Sequence, residues 1–267
     1  MRSVRANGIR ISFDEAGSGA PLLLLHGFSL DRTMWDAQVE ALARSYRLIV
    51  PDLRGLGATE NPGVQISIEQ MADDAAGLLM ALDIPAAAVA GFSMGGYVLA
   101  QMAVRHPLKV RAAAFVCTRA GADNEEQQKA RLANMRFIDD EGSEAFASKF
   151  VPMLFSSAYL ASGAGGPGKH RRAIASQLPR NLCALLDAMR QREDMTPRLG
   201  EIRVPCAVVA GEKDQLVPVQ AMRELHEGLA DSAFDVIEGS GHMAPVEAPD
   251  RVSFALDQLM QRAGMWM

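Results

Sequence analysis

Short apolar runs alternate with stretches of helical spacing along most of the chain. Pro21-Leu22-Leu23-Leu24-Leu25, Arg47-Leu48-Ile49-Val50, Ala86-Ala87-Ala88-Val89-Ala90 and the run 110–117 are each a few residues long, and none shows the polar alternation of a half-exposed strand. Such runs predict strands buried on both faces of a sheet. Ile9-Arg10-Ile11-Ser12-Phe13 does alternate, which predicts an edge strand. Between these lie 35–43 and 66–82, whose apolar residues recur at helical spacing. Ser67 is the expected N-cap of the second, with Glu69 and Gln70 in its first turn. Strands separated by helices predict an α/β fold with a mostly parallel central sheet covered by helices on both faces.

The pattern changes between 121 and 197. Strand signals stop, and helical segments follow one another at 125–140, 143–154, about 170–178 and 182–191. Ser162-Gly163-Ala164-Gly165-Gly166-Pro167-Gly168 reads as a flexible break among them. The alternation then resumes, with a strand at 202–210, a helix at 220–230, a strand at 234–237 and an amphipathic helix at 248–262. The expected organisation is an α/β core built from 1–120 and 198–267, with 121–197 as a helical insertion. No internal repeat is visible.

Composition narrows the function classes. The 267 residues are 49% hydrophobic and carry 27 basic and 32 acidic side chains, a net charge of −5, with no basic stripe that would suggest nucleic acid. The one basic cluster, Lys169-His170-Arg171-Arg172, reads as a solvated helix start. No apolar run approaches the ~20 residues of a membrane span, and Met1 to Asn7 has neither the apolar stretch nor the cleavage site of a signal peptide. Cys117, Cys183 and Cys206 are odd in number and far apart, which fits reduced thiols in the cytoplasm. Cys117 and Cys206 fall in apolar runs and read as core residues. No spacing of His, Cys or acidic residues suggests a metal site.

The stretch Gly91-Phe92-Ser93-Met94-Gly95-Gly96 carries the chemistry. It follows an apolar run and precedes the helical stretch Tyr97-Val98-Leu99-Ala100-Gln101-Met102-Ala103-Val104. A G-x-S-x-G sequence between strand and helix places a serine on a strained turn, with the helix N-terminus behind it. A serine hydroxyl is a poor nucleophile without a base, and the base needs an orienting group. Of the five histidines, His242 is the expected base, since Gly239-Ser240-Gly241-His242-Met243-Ala244-Pro245 follows the last strand. His106 fits a helix-terminal charge, His170 and His226 are expected at the surface, and His26 is expected to tie down its own loop. Asp214, in Gly211-Glu212-Lys213-Asp214, is the expected orienting carboxylate, with Asp123 as its competitor; Glu212 and Asp235 read as solvated. Backbone amides of Met94 and Phe28 are the expected donors to a developing oxyanion.

These landmarks, together with Pro51-Asp52-Leu53-Arg54-Gly55-Leu56-Gly57, span nearly the whole chain in order. The sequence strongly resembles the α/β-hydrolase superfamily, in its compact single-domain bacterial branch with a helical cap. The resemblance implies Ser93 as nucleophile, Asp214 as acid, His242 as base and an oxyanion hole from Phe28 and Met94; it reads the 52–57 loop as structural. Haloalkane dehalogenases and epoxide hydrolases carry an aspartate at the elbow, so Ser93 argues against both. Among what remains, the elbow looks most like that of the esterases, enol-lactonases and perhydrolases.

The expected function is hydrolysis of a small, largely apolar carboxylic ester or lactone without a cofactor. Alternatives are carbon–carbon bond hydrolysis or lyase chemistry on the same triad, and a non-catalytic ligand-binding protein on this scaffold. Phe28, Met153 and Phe155 are the expected substrate contacts, out of a set that includes Met135, Phe137, Phe146, Phe150 and Leu154. Trp35 is expected in the core. The expected protein is a monomer or small homo-oligomer.

Overall fold

The structure, a computed structural model, describes residues 1–63 and 65–265. Eight strands form one sheet: β1 (Arg2–Ala6), β2 (Ile9–Ala16), β3 (Pro21–Leu25), β4 (Arg47–Pro51), β5 (Ala87–Phe92), β6 (Val110–Val116), β7 (Cys206–Gly211) and β8 (Ser232–Ile237). Their order across the sheet is β1-β2-β4-β3-β5-β6-β7-β8. The β1–β2 and β2–β4 pairs are antiparallel and every later pair is parallel. The apolar runs sit where their composition requires. Leu22 to Leu25 and all of β5 are buried, because helices cover both sides of the middle of a parallel sheet.

Two pairs of helices do this covering. Helices α2 (Ile68–Ala81) and α3 (Met94–Arg105) pack together against one face, and α1 (Asp36–Leu42) packs with the terminal helix Pro249–Arg262 against the other. Ser67 caps α2, its side chain accepting from the Gln70 amide at 3.1 Å. Trp35 is buried, edge-on to Phe92 beneath the elbow.

Four helices lie between β6 and β7: α4 (Glu125–Leu154), α5 (Ser157–Ala161), α6 (Gly166–Ala175) and α7 (Pro179–Arg190). α4 is broken in its backbone at Gly142, where φ is 83° and ψ 176°, so two helical stretches meet at the gap between 140 and 143. Two expectations need correction here. The break expected over 162–168 is shorter, because Gly166, Pro167 and Gly168 form the first turn of α6; a proline is acceptable where helix N–H groups lack partners anyway. His170 is buried rather than exposed: its Nδ1 donates to the Gly166 carbonyl at 2.8 Å and its ring lies against Phe155. Burial holds its imidazole below the usual range and so favours the neutral form. Within the basic cluster, Lys169 and Arg171 ion-pair with Asp36 and Glu144.

The remaining elements are α8 (Val219–Gly228), α9 (Ala244–Glu247) and α10 (Pro249–Arg262). β7 starts at Cys206 instead of 202. A short 3-10 turn ends at Glu201, and Pro205, which has no N–H to give a ladder, leads into the strand. β1 was not expected. It turns back on β2 through Asn7 and Gly8, both at positive φ (46° and 79°), as a tight hairpin requires.

Candidate active site

Ser93 sits between β5 and α3 with φ 51° and ψ −116°, a region that costs a non-glycine residue about 1–3 kcal/mol. Two bonds hold it there. Its amide donates to the Val116 carbonyl at 2.9 Å, and its carbonyl accepts from the Thr118 hydroxyl at 2.7 Å, so the next strand over-determines the turn. The flanking glycines are needed for space. A Cβ on Gly91 would overlap the Gly95 backbone, and one on Gly95 would overlap the carbonyls of Leu25 and His26. Gly95→Ala is therefore expected to cost about 1–3 kcal/mol by overpacking against rigid backbone. Thermal unfolding should show it, with a midpoint lower by about 2–4 °C per kcal/mol for a chain of this size.

His242 lies on the loop after β8, and Asp214 on the loop after β7. The His242 Nε2 is 3.0 Å from the Ser93 Oγ, and its Nδ1 is 2.7 Å from the Asp214 Oδ2. A carboxylate can only accept, so Nδ1 carries the hydrogen and Nε2 is the free acceptor facing the serine. The other Asp214 oxygen accepts from the Leu216 and Val217 amides at 2.8 and 2.9 Å. The acid and imidazole side chains are 1% and 2% exposed. Phe92 lies against the imidazole with ring centres 4.9 Å apart. The three side chains thus form a relay that can accept a proton from Ser93 while holding one tautomer.

Asp123 plays no part in this relay. It is buried in ion pairs with Arg131 and Arg192. Burial alone would raise its carboxyl, but the two guanidinium groups outweigh this and hold it below the usual range. His26 is fully buried; its Nε2 accepts from the Leu53 amide at 2.9 Å and its Nδ1 faces the Gly27 carbonyl at 2.9 Å. Burial keeps that imidazole below its ordinary range, and a ring with both nitrogens engaged joins the 26–28 loop to the 52–57 loop. Asp52 completes the second loop by accepting from Arg32 and from the Ala58 amide. His106 pairs with Asp73 at the end of α3, and His226, half-buried, faces the Ser232 hydroxyl. Cys117 and Cys206 are buried; burial pushes the Cys117 thiol well up and that of Cys206 to about 12, so neither presents a thiolate. The half-buried Cys183 thiol is also pushed up to about 12 by burial.

The amides of Phe28 and Met94 donate to no protein acceptor among the described residues; Met94 directly follows Ser93, and Phe28 shares the cavity with it. In front of them is a cavity of about 340 Å³ lined by residues of the sheet loops and by side chains from α4 and α7.

A model of the alpha/beta hydrolase family matches residues 22–254, most of the chain. The chain belongs to the α/β-hydrolase family. A thermophilic esterase from Thermogutta terrifontis, solved with malate bound, superposes with a TM-score of 0.93 at 33% identity, over 98% of this chain and 99% of that one. An enol-lactonase from Burkholderia xenovorans gives a TM-score of 0.91 at 25% identity, over 97% and 100%. A 2-hydroxymuconate semialdehyde hydrolase from a Pseudomonas strain is 29% identical over 98% of this chain and 94% of its own length. Among the described residues no helix is long and apolar enough to cross a membrane, and no three His, Cys, Asp or Glu side chains could together hold a metal ion.

On this α/β-hydrolase scaffold the expected substrate contacts divide. Phe28 lines the cavity, edge-on to Phe146 and Phe150. Met153 also lines it and is 40% exposed. Phe155 does not. It is 0% exposed and stacks on Tyr159, 5.3 Å between ring centres. The helix ends at Leu154, so helical spacing no longer sets the direction of residue 155. Glu247 then fixes the turn by accepting from the Ser156 amide and hydroxyl. Sequence reasoning also missed cavity residues, among them Tyr97, Arg119 and Gln127. Arg119 had a usable signal, since it leaves the carboxyl end of a parallel strand, where open α/β sheets place their ligands.

Proposed function

We propose that the chain is a serine hydrolase that cleaves a small carboxylic ester or lactone with a largely apolar body, through an acyl-enzyme on Ser93. The supporting observation is the unbroken relay from Ser93 Oγ through His242 to Asp214, at 3.0 and 2.7 Å. His242 Nε2 takes the serine proton as Oγ attacks the carbonyl carbon. The oxyanion is bound by the amides of Phe28 and Met94, each worth ~10²–10³ in rate. His242 then gives the proton to the leaving oxygen. Water deprotonated by the same nitrogen hydrolyses the acyl-enzyme, and Asp214 stabilises the imidazolium in both steps. Nothing in this sequence of steps calls for a cofactor. Residues 121–197 act as a cap over the 340 Å³ cavity, and the Phe28, Phe146 and Phe150 rings give the acyl group an apolar wall.

A second reading, carbon–carbon bond hydrolysis on the same triad, is favoured by the likeness to the 2-hydroxymuconate semialdehyde hydrolase. A p-nitrophenyl ester series from acetate to long acyl chains separates the two. The expected result is Ser93-dependent turnover with an optimum at short chains, set by a cavity that holds only a small acyl group. A folded protein that reacts with a fluorophosphonate at Ser93 but turns over no ester would favour the carbon–carbon reading. Absence of both reactions would overturn the hydrolase assignment of this site.

A further inference from the structure

The cavity in front of Ser93 carries charge of one sign. Arg119, Arg131 and Lys149 line it, and among the described residues no aspartate or glutamate does, although the chain as a whole has a net charge of −5. Two of these cations are engaged: Arg131 pairs with Asp123, and the exposed Lys149 lies 4.7 Å over the Phe137 ring. Arg119 is different. Among the described residues no acid pairs with it; one Nη donates to the Leu216 carbonyl, and its Nε is buried with no hydrogen-bond partner. A guanidinium without an acidic partner can bind a carboxylate through charge-assisted bonds to its remaining Nη donors. The position suits a ligand. Arg119 follows β6 at the carboxyl end of the parallel strands, and with Gln127 it also lines an adjoining groove of about 230 Å³. Arg119 therefore lies where the cavity meets the groove, whose lining also includes Glu224.

We propose that the substrate carries a second, ionised carboxylate, bound by the Arg119 guanidinium at the junction of cavity and groove, while its apolar body lies on the phenylalanine wall. This rests on the hydrolase reading above and names its substrate class: the half-ester or lactone of a dicarboxylic or hydroxy-dicarboxylic acid, or an ester whose alcohol bears a carboxylate. The cationic cavity attracts such an anion, and a neutral ester of the same size would leave Arg119 as it is.

Arg119 also braces the acid loop, since Leu216 both accepts from it and donates to Asp214. A bracing role alone would change hydrolysis of all esters together. The test is therefore a ratio. Hydrolysis of monomethyl adipate against methyl hexanoate, and of 4-acetoxybutyrate against butyl acetate, is followed by pH-stat for the wild type, Arg119→Gln and Arg119→Lys. The wild type is expected to favour the anionic member of at least one pair by about tenfold or more in kcat/KM, as one charged hydrogen-bonded contact allows. Arg119→Gln should lower that ratio by about tenfold to hundredfold, mainly through KM, and Arg119→Lys should recover part of it by keeping the charge without the fork. The wild-type ratio tests the proposal even where a substitution disturbs folding. Equal rates or a neutral preference in both pairs would overturn it, as would a ratio that Arg119→Gln leaves unchanged. Neutral esters hydrolysed without charge preference would sink this inference alone. No ester hydrolysis and no fluorophosphonate labelling of Ser93 would remove the hydrolase reading with it.

Discussion

Ser93→Ala is expected to lower kcat on a p-nitrophenyl ester by about 10⁶-fold, the scale seen when a triad nucleophile is removed. On the proposed mechanism the attacking atom is lost, and no other nucleophile stands in its place. The thiol of Cys117 is buried and protonated, and His26 has both ring nitrogens engaged within the loops. What survives is the oxyanion pair and substrate binding, so some rate above that in water should remain. The protein should stay folded. Alanine meets the same strain at φ 51°, and the Val116 and Thr118 bonds that hold the turn involve only the Ser93 backbone. A thermal midpoint near that of the wild type, with labelling by a fluorophosphonate abolished, would complete the result. Turnover at the wild-type rate in this variant would sink the mechanism.

Asp214→Asn should cost about 10⁴-fold in kcat, the loss found where a triad aspartate becomes an amide. The geometry explains the size of the effect. Asp214 Oδ1 accepts from the Leu216 and Val217 amides, so the asparagine keeps its oxygen on that side and the loop holds its shape. Its NH₂ group then faces His242 Nδ1, which must become an acceptor. The hydrogen moves to Nε2, and the nitrogen opposite Ser93 can no longer accept a proton. Asp123→Asn is expected to leave more activity, because Asp123 is tied to Arg131 and Arg192 and makes no contact with His242. Steady-state kinetics of the two variants side by side decide the matter; a larger kcat loss at Asp123 would make it the functional acid.

The elements that were legible share a local cause. β3 and β5 are apolar on both faces because helices cover both faces of a parallel sheet, and that burial is written directly into the run of side chains. The Ser67 cap is a local event and was readable at the residue that makes it. The gap between 140 and 143 coincides with the backbone break at Gly142 for the same reason. Asn7-Gly8 is a local hairpin signal of the same kind, and it marks the end of β1. His170, in a helical segment, is expected at the surface but is buried because its ring packs on Phe155, a contact fifteen positions away.

The sequence by itself determined the fold and the chain order of serine, aspartate and histidine, since a strand, its turn and its glycines are set by neighbours within a few residues. It also made Phe28 a candidate for the wall, through its place beside the loop. Tertiary structure alone decided which side chains face the cavity. Phe155 turns away because Glu247, ninety-two positions later, holds the turn that follows it. Arg119 has no acidic partner among the described residues, although Glu224 lines the same groove. The 3.0 Å between Ser93 and His242 spans 149 positions of sequence. Distances and charge balance of that kind arise from packing between remote segments, and no local pattern encodes them.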